Sequence, residues 1–125
     1  MNRDWTITRA VLLKLEAAPT ANTNVRAVDL PEFDEQEVAY NIRLLWQAGY
    51  IDGNVLDSSD GDGRILDAIA RSLTNRGHDL LDTIRQNSVW TRIQDRFRSS
   101  GLDMTFDLVQ SVGKSILERM LLGNS

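Results

Sequence analysis

Four polar side chains recur along one segment of the chain at steps of four, three and four residues: Gln36, Tyr40, Arg43 and Gln47. On an α-helix this spacing places them in a single stripe, because residues three and four apart lie on the same face. Gln and Arg can form paired hydrogen bonds with adenine and guanine edges, and Tyr can contact a phosphate or stack. The stripe is therefore a candidate surface for nucleic acid or for a protein partner, or an ordinary solvated helix face.

The charges around this stripe oppose a polyanion. Residues 1–70 hold six Lys or Arg against twelve Asp or Glu, a net charge of −6, whereas residues 71–125 have a net charge of +2. The carboxylates nearest the stripe and in the segment that follows it are Asp34, Glu35, Glu37, Asp57, Asp60, Asp62 and Asp67. Duplex DNA would have to be bound by a local patch, since the overall field repels phosphates.

A second basic feature contains four arginines with Trp90 and Phe97 between them: Arg85, Arg92, Arg96 and Arg98. Arg92 and Arg96 are four residues apart and share one helix face, so they are candidate contacts for a nucleic-acid backbone or a partner. The alternative is that arginines of this group pair with Asp82 and Asp95 on their own helix.

The chain has few residues suited to catalysis or to metal binding. The chain has one histidine, His78, and no cysteine, and Asp79 points about 100 degrees away from His78 on a helix. His78 is predicted to pack near the base of the hairpin or to bond to backbone. The segment "DSSDGDG" fails the calcium-loop spacing and fits a hairpin turn with positive φ at Gly61 and Gly63. We therefore expect no catalytic residue, no metal and no cofactor.

The apolar pattern predicts which elements hold the stripe. A first helix buries Ile7, Val11 and Leu15 and ends before Pro19, and a short strand runs from Val25 through Val28 to Leu30. The stripe helix starts at Asp34 or Glu35, buries Val38, Ile42 and Leu45 on its other face, and is capped by Gly49. Only about 15 residues separate the first helix from Asp34, so a full helix between them is absent or reduced.

A β-hairpin over about 50–73 follows, with Ile65, Ile69 and Leu73 on its apolar face. Three helices are then predicted over about 74–86, 88–98 and 105–122, with Thr74 and Thr105 as N-caps. The last helix carries a broad apolar stripe, made of Leu108, Val109, Val112, Ile116, Leu117, Met120 and Leu121. This breadth predicts burial on the chain's own core together with a homodimer seam.

The segments "MNRDWTITRAVLLKLEA", "EVAYNIRLLWQAGYIDG" and "SLTNRGHDLLDTIRQNSVWTRI", with "TFDLVQSVGKSILERMLL" at the end, resemble the YjcQ-like family of small bacterial and phage proteins. The family is catalogued mainly as a domain of unknown function. The resemblance implies an α+β, winged-helix-like fold of helix, short strand, helix and β-hairpin wing, with a C-terminal helical extension and a bacterial, phage or prophage origin. In winged-helix proteins a helix of the stripe's type presents side chains to the major groove and the hairpin forms the wing, whereas the family resemblance itself implies no established activity.

Size and composition bound the remaining choices. The 125 residues suit a single domain, 1–125, with the winged-helix-like core over 1–73 and helices over 74–125. The N-terminus lacks the apolar core of a signal peptide and no stretch approaches about 18 apolar residues, so we expect a cytoplasmic protein without a membrane contact. The leading hypothesis is a non-enzymatic, double-stranded-DNA-binding or transcription-regulatory accessory; the alternative is a protein-binding adaptor or dimerisation module that does not bind nucleic acid.

Overall fold

The computed structural model describes residues 1–123. These residues form an α+β fold, as predicted. The elements are α1 (Trp5–Glu16), β1 (Val25–Arg26), a 3-10 turn (Ala27–Asp29), α2 (Glu35–Gln47), β2 (Ile51–Asp57), β3 (Ile65–Leu73), α3 (Asn75–Ile84), α4 (Asn87–Ser100) and α5 (Phe106–Leu121). The chain divides into two compact units, a first unit of Met1–His78 and a second unit of Asp79–Ser125. None of the helices within residues 1–123 has the length and apolar character needed to cross a membrane.

Helices α1 and α2 begin at aspartate caps and are joined by a buried amide. The Asp4 carboxylate accepts from the Thr6 and Ile7 N–H groups at 2.9 and 3.2 Å, and the Asp34 carboxylate accepts from the Glu37 N–H at 3.1 Å. Asn41 is buried on α2, and its Oδ1 accepts from the Asp4 N–H at 2.8 Å. This bond fixes the start of α1 against α2, and the pattern of apolar residues did not reveal it.

The predicted core faces of both helices are confirmed. Ile7, Val11 and Leu15 are buried on α1, which ends at Glu16 before Pro19. Val38, Ile42 and Leu45 are buried on α2. Gly49 follows the helix with a φ of 81°, a left-handed conformation that glycine adopts without steric cost, as predicted for a C-terminal cap.

The strands form one antiparallel sheet in the order β1-β3-β2. Strand β1 has only two residues, so the predicted strand through Val28 to Leu30 is wrong beyond Arg26. The chain turns there because the Asp29 carboxylate accepts from the Arg26 N–H at 2.8 Å and the Leu30 N–H donates to the Ala27 carbonyl at 3.1 Å. The expected reduction of the helix between α1 and α2 is therefore confirmed, since a three-residue 3-10 turn occupies its place.

The apolar face of β3 differs from the prediction. Ile65 is buried as expected, but Ala68 and Ala70 are the other buried residues, and Ile69 and Leu73 are only half-buried. The register shifts between Leu56 and Asp57 and again between Asp52 and Gly53. Each shift inserts one unpaired residue in β3, and one extra residue turns all following side chains to the opposite face.

Helix α3 starts close to the end of α2. The Thr74 hydroxyl accepts from the Gly77 N–H at 3.1 Å and donates to the Gly49 carbonyl at 2.6 Å, which confirms Thr74 as the N-cap. A Cβ on Gly77 would overlap the Tyr50 carbonyl oxygen, so only glycine permits this approach. Tyr50 itself is fully buried, and the Arg76 guanidinium lies 4.6 Å from its ring centroid.

The second unit contains the rest of α3 with α4 and α5, near their predicted positions. Thr105 caps α5 as predicted, accepting from the Leu108 N–H at 3.1 Å. A Cβ on Gly113 of α5 would lie 3.1 Å from the Thr83 Cβ and 3.2 Å from the Ile93 Cδ1, so the helices approach closely there. The buried core of the unit includes Leu80, Leu81, Ile84, Val89, Ile93, Val109 and Ile116.

The apolar stripe of α5 is only partly buried. Val109 and Ile116 lie in the core and Val112 and Leu117 are half-buried. Three residues of the predicted stripe are exposed in the single chain: Met120 of its centre, and Leu108 and Leu121 of its edges. Burial on the chain's own core is thus confirmed for Val109 and Ile116, and the homodimer seam stays a prediction.

Candidate functional site

Gln36 is bonded to the hairpin by both ends of its side-chain amide. The Nε2 donates to the Ile65 carbonyl oxygen at 2.8 Å, and the Oε1 accepts from the Ile65 N–H at 3.0 Å. The amide thus satisfies both backbone polar groups of the first residue of β3. A side chain held in this way is not available to read a base edge, so the structure gives Gln36 a positioning role.

Arg43 also contacts the hairpin. Its Nη1 donates to the Asp57 Oδ1 at 2.8 Å, and its guanidinium lies 5.4 Å from the centroid of the Tyr40 ring. Asp57 is the last residue of β2, so the two predicted site residues Gln36 and Arg43 join α2 to both strands at the hairpin's turn end. The predicted stripe is present on α2, but half of it fixes the hairpin.

The C-terminal part of the stripe faces solvent. Gln47 is exposed on the last turn of α2, and the neighbouring Trp46 is 41% exposed. Tyr40 is half-buried beside Arg43. Of the four stripe residues, Gln47 is therefore the one that a ligand can reach most freely.

The hairpin turn has the predicted conformation. Gly61 and Gly63 have φ values of 70° and 77°, and the Ser58 N–H donates to the Arg64 carbonyl at 2.9 Å. The Asp62 carboxylate accepts from the Arg64 N–H at 3.0 Å, and this bond lowers the pKa of Asp62 from its ordinary value. Among residues 1–123, no three His, Cys, Asp or Glu side chains are grouped so that they could hold a metal ion.

His78 lies in the first turn of α3 and its side chain is exposed, as is that of Asp79. The prediction that His78 packs near the base of the hairpin is therefore wrong. Its backbone N–H donates to the Thr74 carbonyl at 2.9 Å, as the helix requires. The histidine is a surface residue at a helix start.

The four arginines of the second basic feature divide into two pairs. Arg85 and Arg98 form ion pairs with Asp82 and Asp95, each at 2.8 Å and each three residues apart, which confirms the predicted pairing for these two. Arg92 and Arg96 are exposed, and neither forms an ion pair with any side chain in residues 1–123. Arg85 and Arg92 do not share one continuous helix face, because the helix is interrupted at residues 85–86, between α3 and α4.

Arg92 and Arg96 line a concavity between α4 and α5 that Arg119 of α5 completes. The concavity measures about 630 Å³, and Ser99, Ser100 and Ile116 also line it. Arg119 is exposed and unpaired within the described part of the chain. Arg119 was not among the predicted site residues, because its place beside Arg92 in the concavity depends on the packing of α5 against α4 and not on sequence separation.

A second depression, also missed, lies in the first unit. Val28 of the 3-10 turn and Leu66 of β3 are 61% and 63% exposed, and both line a depression of about 140 Å³. Its other lining residues are Arg26, Ala27, Glu35, Gln36, Ala39, Ile65, Asp67 and Ala68. Two large apolar side chains thus lie exposed at one place, beside two carboxylates and the fixed amide of Gln36.

The predicted site residues consequently belong to two different surfaces. Gln36, Tyr40, Arg43 and Gln47 lie on α2 in the first unit, whereas Arg92 and Arg96 lie on α4 in the second. The fold is that of a small α+β protein with a three-stranded antiparallel sheet, and its distinctive features are an acidic hairpin and an arginine-lined concavity.

Comparison with known proteins places this chain in a family. Residues 2–103 match the family described as "Hypothetical protein (DUF2513)", and the chain belongs to that family. It is also 36% identical over 121 residues to a Haemophilus influenzae protein described as uncharacterized, covering 97% of this chain and 99% of the relative. No solved structure matches the chain significantly. Membership of a family of unknown function is thus confirmed, and the YjcQ-like resemblance stays a prediction.

Proposed function

We propose that the chain is a non-enzymatic, winged-helix-like protein-interaction module, whose acidic first unit binds a protein segment with an apolar side chain flanked by Lys or Arg. The winged-helix comparison is supported by the element order and by the strand order β1-β3-β2, with α2 in the position of the recognition helix. A cytoplasmic location belongs to the same proposal.

The open depression between Val28 and Leu66 carries this proposal. A full second helix would supply side chains to cover such a place, but the 3-10 turn is only three residues long. Both apolar side chains are therefore left more than half exposed. Clustered apolar surface on a small protein is typical of a binding site, because its removal from water favours association.

The charges at the rim define the partner's chemistry. Glu35 and Asp67 line the depression, and the first turn of α2 adds Glu37. Arg26 is the one cation among the depression's lining residues. Net negative charge favours a partner with basic side chains and disfavours phosphates, since complementary charge steers association and like charge opposes it.

The positions of Gln36 and Arg43 support the same conclusion. A helix that reads DNA needs side chains free to reach base edges and phosphates. Both residues instead hold the hairpin at hydrogen-bonding distance, and Arg43 neutralises Asp57 in doing so. Because Gln36 and Arg43 are engaged with the hairpin, protein binding is better supported than DNA binding.

Site-specific photo-crosslinking tests this proposal. A photoreactive residue is introduced at Val28 or Leu66 of the full chain in the organism that carries it, with exposed Asn22 as the control position. We expect one and the same protein adduct from both test positions, reduced by the charge reversals Glu35→Lys and Asp67→Lys. Adducts that nuclease removes, or adducts equally strong from Asn22, would contradict the proposal.

Duplex DNA with a transcription-regulatory role is the second candidate function. The exposure of Gln47 and the unpaired state of Arg92 and Arg96 within residues 1–123 favour it. Fluorescence anisotropy with mixed-sequence duplex between low and physiological salt tests it. DNA binding requires a log-log salt slope of several units. It also requires loss of affinity in the Arg43→Ala/Gln47→Ala double variant, and full affinity there would reject the stripe.

A non-enzymatic role is also part of the proposal. General acid-base catalysis needs a titratable group in a pocket, within reach of an orienting partner. The chain's one histidine is exposed, and the pKa of the Asp62 carboxyl group is lowered by a turn hydrogen bond from the Arg64 N–H on an exposed loop. These features support a structural role for both residues.

A further inference from the structure

The concavity of the second unit, hereafter the arginine groove, is defined by Arg92, Arg96 and Arg119. Its three guanidiniums form no ion pair within residues 1–123. Asp95 also lines the groove, but its carboxylate is already paired with Arg98 at 2.8 Å. Three arginines without an ion pair in the described chain that line one concavity favour a ligand with carboxylates or phosphates, which guanidinium groups bind with paired hydrogen bonds.

An apolar hollow of about 180 Å³ adjoins the arginine groove. Arg96 and Ser100 line both of them, so the two surfaces are continuous. Leu102, Leu108, Phe97 and Val112 complete the hollow, and Leu102 is 61% exposed. A ligand that fills both must therefore carry negative charges next to apolar side chains. A phosphodiester backbone has the charges but not the apolar groups.

The hairpin of the same chain has this combination. The segment 56–67 carries four aspartates against one basic residue, Arg64. Asp57 is paired with Arg43, which leaves Asp60, Asp62 and Asp67 for a partner. Leu56 is 60% exposed and Leu66 is 63% exposed. Leu56 of β2 pairs with Asp67 of β3, and Leu66 is the extra residue of β3 at the neighbouring register shift. The two leucines are therefore close to each other across the hairpin.

We propose that the acidic hairpin of one copy binds in the arginine groove of a second copy. The inference rests on the proposed function, because it names a second copy as a partner of the acidic first unit. A symmetric pair would make the hairpin-groove contact twice, which is how a two-fold dimer uses two different patches on each subunit. The contact joins aspartates to arginines and leucines to the apolar hollow.

Sedimentation velocity of the full chain tests this contact, from low micromolar to several hundred micromolar protein and at low and high salt. We expect a monomer-dimer equilibrium that weakens with salt, since its charges are partly exposed. Asp60→Lys/Asp67→Lys and Arg92→Glu/Arg96→Glu should each raise the dissociation constant at least about tenfold. The matched control, Arg85→Glu/Lys114→Glu, reverses two charges of the same unit at residues that line neither the arginine groove nor the apolar hollow, and it should dimerise like the wild type.

Mixing the two charge-reversed variants supplies the decisive comparison. Each contact in the mixed pair again joins opposite charges, so an equimolar mixture should form a heterodimer at concentrations at which each variant alone stays monomeric. Circular dichroism of each variant shows that it is folded. A wild type that stays monomeric throughout, charge-reversed variants that dimerise normally, or a mixture that stays monomeric would each overturn the proposal.

Two further results separate this inference from the functions proposed above. A monomeric wild type that still gives the Val28 and Leu66 adducts to another protein overturns the second-copy contact and leaves the protein-interaction function standing. A monomeric wild type whose affinity for duplex DNA falls in Arg92→Glu/Arg96→Glu overturns the contact in favour of a phosphate ligand for the arginine groove.

Discussion

The side-chain amide of Gln36 forms two hydrogen bonds with the backbone of Ile65, at 2.8 and 3.0 Å. An amide that both donates to and accepts from one residue acts like a neighbouring strand, and it ties the start of β3 to the first turns of α2. These two hydrogen bonds explain why Gln36, whose side chain could read a base edge, instead positions the hairpin.

Replacing Gln36 with Met removes both bonds while keeping a side chain of similar size. The Ile65 N–H and carbonyl are part-buried, so leaving them without partners should lower the free energy of unfolding by about 1–3 kcal/mol. The exposed Gln47→Met is the matched control and should change it by less than about 0.5 kcal/mol. Urea denaturation measures both, and equal effects would contradict the positioning role.

The Arg43–Asp57 ion pair should contribute little to stability by itself. Its two side chains are 26% and 61% exposed, and exposed pairs typically couple by about 0.2–1 kcal/mol. A double-mutant cycle with Arg43→Ala and Asp57→Ala measures the coupling, which should fall as salt increases. A coupling above about 2 kcal/mol, or one independent of salt, would show that the pair is more than a surface contact.

Alanine substitutions at Gly77 and at Gly49 should destabilise the folded protein for two different reasons and to different extents. A Cβ at Gly77 overlaps the Tyr50 carbonyl oxygen, so Gly77→Ala must displace backbone. A Cβ at Gly49 meets no atom within 4 Å, and Gly49→Ala costs only the strain of its φ of 81°, about 1–2 kcal/mol. Thermal unfolding should show the larger loss for Gly77→Ala. Gly49→Asn should be milder than Gly49→Ala, because Asn tolerates the left-handed region.

The elements were predictable because they depend on local signals. Caps at Asp34, Thr74 and Thr105 and the apolar periodicity of α1 and α2 define helices through interactions within a few residues. The reduced 3-10 turn followed from counting the residues available before Asp34. Each of these predictions was confirmed.

The face of β3 and the use of the stripe were not predictable, for physical reasons. A register shift at Leu66 follows from pairing with β2, and it reverses the side-chain alternation without any sign in β3 itself. A polar stripe on a helix shows the same sequence pattern whether its residues face solvent, a ligand or a neighbouring strand. Gln36 and Arg43 therefore needed their partners, Ile65 and Asp57, to be placed before their role could be assigned.

Asp62 gives the hairpin turn a pH-dependent stability. The Arg64 N–H donates to its carboxylate and lowers its pKa below the ordinary value of 3.8. A group with a lowered folded pKa contributes stability that is fully present above the unfolded value and is lost as pH falls through the folded one. The stability difference between wild type and Asp62→Asn should therefore be constant near neutral pH and should shrink in acid. A difference that grows in acid would contradict this assignment.

An NMR titration with mixed-sequence duplex DNA at low salt tests the central claim most directly, which is that Gln36 and Arg43 of the α2 stripe hold the hairpin and that the stripe does not read nucleic acid. The side-chain amides of Gln36 and Gln47 and the Arg43 Nε–H report on the stripe. The account predicts that all three resonances keep their positions as DNA is added, with Gln36 protected from solvent exchange by its bonds to Ile65. Saturable shifts at Arg43 and Gln47 that diminish with salt would contradict it.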